Sequence, residues 1–124
     1  MISWLVRVLV AAALLGSAWV HYDLWRNGFS DIAVIGPLFL VNAVAGVVIA
    51  VGVLAWSHWI PAFLAAGFGA STLGAYVLSV TVGLFNVQEQ FTTQAELWGV
   101  ITEAVCIVLG IALIVMAVRP GRRA

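Results

Sequence analysis

The chain contains no lysine and a single cysteine, and only 8% of its 124 residues are charged. Each scarcity removes a class of function. Five arginines against five acids leave no net charge, so no basic face is available to follow a nucleic-acid backbone. One cysteine, Cys106, forms no intrachain disulfide and no dithiol relay. So few charges cannot coat a separate soluble domain, since a small globule leaves much of its surface in water. Phosphate loops, zinc-protease helices, nucleophile elbows and dinucleotide fingerprints are missing too, and no repeat suggests an inverted-repeat carrier.

What the chain has instead is apolar length. It is 65% hydrophobic with mean hydropathy +1.17. Four runs, 2–20, 37–56, 61–85 and 95–118, are nearly free of charge. A helix needs ~20 apolar residues to cross ~30 Å of hydrocarbon, and each run is long enough. The expected fold is all-α: one domain spanning 1–124, an antiparallel four-helix transmembrane bundle. Gly16-Ser17-Ala18 would pass as a leader cleavage site, but Arg7 interrupts the apolar run ahead of it, and an uncleaved first span is expected.

Arginine placement predicts orientation. Arg7, Arg119, Arg122 and Arg123 fall on the side of the two chain ends, and only Arg26 on the other, among Asp23, Asp31, Glu89 and Glu96. The positive-inside rule puts both termini in the cytoplasm, in a cell membrane. Arg7 is expected to snorkel to the headgroups, and the C-terminal arginines to anchor the chain against anionic lipid. His21 to Gly36 and Asn86 to Gln94 then read as external loops, and Ser57 to Ile60 as a tight cytoplasmic turn with a solvated His58. Pro61 suits the first turn of the third helix. Thr93-Gln94-Ala95-Glu96 reads as a capping box opening the fourth.

Gly67, Ser71, Ala75, Ser79 and Gly83 recur every fourth residue along the third run. Small residues at that spacing admit a neighbouring backbone. Packing within the bundle is the favoured reading; a homo-oligomer seam, or a seam within a larger membrane complex, is the alternative.

Polar side chains inside the runs crowd toward the external half, which predicts a polar pocket open to that side. Glu103 is the foremost candidate, because a carboxylate in a membrane span is expensive and marks a functional site by default. The alternative is a structural lock, with Glu103 hydrogen-bonded to Asn42, His21 or Tyr76. Glu96 and Glu103 share a helix face with Gly99, Cys106 and Gly110. His21 is a candidate for proton or ligand binding, yet His58 falls at the opposite membrane face, so a histidine-pair metal site is excluded and no metal is expected. Asn42 and Tyr76 complete the candidate ligand or proton site.

The segment His21-Tyr22-Asp23-Leu24-Trp25-Arg26-Asn27-Gly28-Phe29, followed by Ile35-Gly36-Pro37-Leu38-Phe39-Leu40, resembles a family of small four-span actinobacterial membrane proteins carrying His-x-x-Leu-Trp-x-x-Gly-aromatic. The likeness covers the first third closely and the rest in layout. It implies the four-span fold and a place for His21, Gly28 and Gly36 in the family pattern, and no activity.

Three functions fit. The first is a non-enzymatic accessory, scaffold or ligand-binding subunit in the bilayer, with no catalytic residue and no cofactor. The second is a small proton-coupled transporter using Glu103. The third is a haem- or quinone-binding subunit with His21 as ligand, for which no second axial ligand is visible.

Overall fold

The computed structural model describes residues 2–27, 31, 33–83 and 94–119, with side chains taken from Trp4 in the first helix and Leu97 in the last. Four helices account for nearly all of them: α1 (Ile2–Arg26), α2 (Ile35–Ala55), α3 (Trp59–Thr81) and α4 (Gln94–Val118). All four are long and apolar enough to cross a membrane. Within a bilayer each backbone N–H and C=O must be satisfied inside the chain, and a helix does this by itself. The protein is a small multi-pass membrane protein with an all-α, four-helix architecture.

The helices run antiparallel. The start of α1, the end of α4 and the α2–α3 turn lie at one end of the bundle, the near end; the end of α1 and the start of α2 lie at the far end. Neighbours pack in the order α2, α1, α4, α3, and the ring is loosest where α2 faces α3. Bulky side chains point outward: Val41, Val48, Val108 and Val115 are more than half exposed. Lipid is as apolar as valine, so the interior is chosen for close contact rather than for hydrophobicity. It is made of small residues, with Ala11, Ala13, Ala50, Ala62 and Ala65 around Val10, Leu14, Val53 and Leu113.

Close approach is most demanding at Gly69. A Cβ there would lie 2.5 Å from the Glu103 carbonyl oxygen and 2.9 Å from Cys106 Cβ. A Cβ on Gly110 would come within 3.0 Å of the Ala66 backbone nitrogen. The α3–α4 seam therefore runs along Ala62, Ala65, Ala66 and Gly69. The predicted stripe follows a different line. Gly67 could carry a Cβ with nothing within 4 Å, Ser71 is exposed, and Ser79 alone of the five is buried. Gly83 lies beyond the helix, with φ 88°, and its N–H reaches the Leu78 carbonyl at 2.8 Å. A left-handed glycine of this kind ends a helix, which is why α3 stops at Thr81 rather than continuing to residue 85.

Three other boundaries differ from expectation. First, α1 does not end at residue 20 but continues to Arg26. Charge ends an apolar run without breaking a helix, and Arg26 bridges to Asp23 at 2.9 Å, three residues back. Asn27 then stops it, donating from its side chain to the Asp23 carbonyl at 2.8 Å. Second, α2 begins at Ile35, so Pro37 sits in its first turn, where a missing N–H is harmless. Third, α3 begins at Trp59. His58 is no free turn residue: its Nδ1 accepts the Ile60 N–H at 3.2 Å, capping α3, and its ring stacks on Trp56.

Arg7 also departs from the snorkelling expectation. Its Nε donates to the Val53 carbonyl at 2.8 Å and its Nη2 to the Leu54 carbonyl at 2.6 Å, with Trp4 beneath the guanidinium. The last carbonyls of a helix lack intrahelical partners, and Arg7 supplies them for α2. The capping box at residues 93–96, the loop from 86, Gly28 and the arginines at 122 and 123 lie outside the described residues or side chains.

Candidate functional site

Ser17, Thr72 and Glu103 each stand nine residues in from the far end of their helices, and Asn42 seven residues in. At 1.5 Å per residue these are depths of ~10–14 Å. Each helix thus contributes a polar side chain to one layer, with His21 and Tyr76 a turn nearer the far end.

Glu103 is the centre of the layer and is 3% exposed. It shares the buried face of α4 with Gly99, Cys106 and Gly110, as the heptad spacing predicts. The close approach of Gly69 to the Glu103 carbonyl fixes the backbone here. Across from it, the Ser17 hydroxyl donates to Glu103 Oε2 at 3.4 Å. Ser17 is wholly buried. Thr72 faces the carboxyl from α3, while donating its own proton to the Phe68 carbonyl at 2.8 Å.

His21 enters because α1 continues past residue 20. Its Nδ1 lies 2.8 Å from the Ser17 carbonyl, one turn back. A carbonyl only accepts, so Nδ1 carries the hydrogen. Nε2 of the neutral ring is then an acceptor, and it lies 3.8 Å from Glu103 Oε2. Two acceptors facing one another at that distance require a proton on one of them, or a donor between them. Phe39 packs edge-on against the imidazole at 5.0 Å and holds the ring.

Asn42 is one turn from Phe39 and one turn from Gly46. A Cβ on Gly46 would meet Ala18 Cβ at 3.1 Å and Phe68 Cζ at 3.4 Å. Asn42 therefore lies at the level of Ser17 and Thr72, beside the loose α2–α3 seam. Its Oδ1 is buried and has no hydrogen-bond partner among the described residues. An orphaned buried carbonyl forfeits about 1–3 kcal/mol, so this atom has room for a further donor.

Of the four predicted site residues, His21 and Glu103 meet directly, Asn42 stands level with them, and Tyr76 is a turn away on α3, its carbonyl taking the Ser79 hydroxyl at 2.7 Å. Ser17 and Thr72 are additions. Ser17 is detectable one turn before His21 on the same face, whereas Thr72 gives no signal, since an intrahelical threonine is commonplace in spans. Within the polar layer Ser17 and Glu103 are buried, and Asn42 and Thr72 are half-buried. A groove of about 500 Å³ that opens to the surface between α1 and α2 is lined by Leu15, Ala18, Trp19, Leu40 and Val44 and is apolar. Among the described residues, no three of His, Cys, Asp and Glu gather as metal ligands. No protein-family model matches the chain, nor does any curated protein or solved structure.

Proposed function

We propose that this chain is a non-enzymatic membrane subunit that holds a ligand in the polar layer around Glu103, with access from the external side, both termini in the cytoplasm of the cell, and a second copy or another membrane chain as its neighbour. The observation that carries the reading is the common depth of Ser17, Asn42, Thr72 and Glu103. A lone structural lock needs one partner for its carboxyl. Four helices that each spend a polar group on one buried layer, at a penalty of about 3 kcal/mol for a mid-span acid alone, fit a binding site better. The orphaned Oδ1 of Asn42 supports the same view.

The facing acceptors of His21 and Glu103 favour a second reading, a proton-coupled carrier, since such a pair can hold one proton and exchange it for a cationic guest. The haem reading is the weakest. Nδ1–H of His21 on the Ser17 carbonyl leaves Nε2 as the nitrogen for a metal, and an iron there would have to displace the carboxyl 3.8 Å away.

Purification in nanodiscs from the native host, with mass spectrometry of retained small molecules and proteins, tests the proposal. A retained small molecule that Glu103→Gln loses is the expected result. A ligand set unchanged by Glu103→Gln would defeat it. Proton release on substrate addition, absent in Glu103→Gln, would shift the assignment to the carrier.

A further inference from the structure

The hydrogen-bond inventory of the polar layer narrows the class of ligand, an inference that rests on the binding-site reading above. The hydroxyl donors of Ser17 and Thr72 and the ring N–H of His21, beside Glu103, are already spent. The Ser17 hydroxyl goes to Glu103, the Thr72 hydroxyl to Phe68, and Nδ1–H of His21 to the Ser17 carbonyl. Beside the amide N–H groups of Asn42, what remains is acceptors: the carboxylate of Glu103, Nε2 of His21 and Oδ1 of Asn42. They come from three different helices. No cation among the described residues faces them: Arg7 is bound and Arg119 exposed at the near end, and Arg26 is paired with Asp23 on the exposed far end.

A buried site with one negative charge and surplus acceptors suits a compact guest with one positive charge and several N–H donors. We propose that the polar layer binds a primary alkylammonium head, R–NH3+, with its three N–H groups directed to Glu103, His21 and Asn42. Three hydrogens match three acceptors, and the positive charge offsets that of the Glu103 carboxylate. The alkyl part would leave through the loose α2–α3 seam beside Asn42, where apolar walls and then lipid receive it. A quaternary ammonium has the same charge and no N–H, and would leave all three acceptors unpaired. The site should therefore tell the two apart, as polar sites do when a donor is missing.

The test is calorimetric titration of the full chain in nanodiscs with n-butylammonium, tetramethylammonium and sodium chlorides. Saturable one-to-one binding of butylammonium is expected, at least about tenfold tighter than tetramethylammonium, which is the worth of one lost charge-assisted hydrogen bond. Glu103→Gln should abolish it. Asn42→Leu should weaken it about tenfold while far-ultraviolet circular dichroism stays helical, and Asn42→Gln should recover part of the loss. Equal binding of tetramethylammonium, equal binding of sodium, or indifference to Asn42→Leu would overturn the assignment. So would absence of butylammonium binding in a protein that still retains a Glu103-dependent molecule from its host. That last result would leave the binding-site reading standing, whereas a retained set indifferent to Glu103→Gln would remove both.

Discussion

The two ends of the bundle solve opposite problems. Toward the near end, Val10, Leu14, Val53, Ala62, Ala65 and Leu113 form an apolar interior without a buried polar side chain among the described residues. Toward the far end, Ser17, Ser79 and Glu103 are buried, and His21 is nearly so. Helices associate in lipid through packing and interhelical hydrogen bonds rather than through hydrophobicity. The near end uses the first means. The far end uses the second, and imperfectly, with a 3.4 Å bond to Glu103 and an unpaired Asn42 oxygen. A region tuned only for stability would not keep such groups, and the contrast supports the proposal that the near end holds the bundle together while the far end is kept for binding.

Gly69 joins the two regions and should be the most sensitive position. Gly69→Leu puts a side chain into the Glu103 carbonyl, 2.5 Å from where its Cβ must lie. Backbone cannot yield as a side-chain tip can, so α3 and α4 must part. A loss of about 3 kcal/mol is expected in detergent unfolding, the upper part of the overpacking range. Gly67→Leu, two residues away on an open face, should be close to neutral. Equal effects at both would mean that α3 turns a different face inward.

The opposite sign is expected at Glu103 itself. If the acid is retained for binding, Glu103→Leu should stabilise the folded chain by about 2 kcal/mol, because a buried charged or polar group is replaced by one that needs no partner. If it is a lock, the same change should destabilise, leaving Ser17 and His21 without their shared partner. Thermal unfolding of the two proteins in one detergent distinguishes these outcomes.

Much of this was legible in the residues, for reasons that also mark where legibility ends. Hydrocarbon-length runs announced four helices because length and lack of charge suffice. Glu103 stood out because an acid inside a span is rare. The end of α1 was misjudged because the first charged residues end an apolar run, while only a breaker such as Asn27 ends the helix. The inward face of α3 could not be read at all. Its spacing offers Gly67-Ser71-Ala75 and Ala62-Ala65-Gly69 equally, and a membrane helix is apolar on every side, so no amphipathic stripe decides between them. Thr72 escaped notice because its hydroxyl satisfies its own backbone first, and its role depends on what stands opposite.

At the near end, Arg7 provides a smaller test of the same contrast. Arg7→Leu removes both donors from the Val53 and Leu54 carbonyls. Water or headgroups can replace part of what is lost at a helix terminus, so about 1.5 kcal/mol of stability should go, as for hydrogen bonds to a charged group. Ammonium binding at the far end should be unaffected, since no polar contact links Arg7 to the Glu103 layer. Coupled loss of stability and binding would show that the two ends do not act separately.

The smallest effect is expected at the α2–α3 turn. His58 caps α3 through a ring nitrogen that accepts the Ile60 N–H at 3.2 Å, and it lies between Trp56 and Trp59 with ring centroids 4.6 and 5.6 Å away. His58→Ala removes both the acceptor and the stacking, and should lower stability by about 1 kcal/mol. His58→Asn restores an acceptor at the cap without restoring the ring. If capping dominates, the asparagine variant should unfold close to the parent; if stacking dominates, it should resemble alanine. Either result belongs to the packed end alone, so neither variant should change butylammonium affinity, and a change there would undo the separation on which the comparison of the two ends rests.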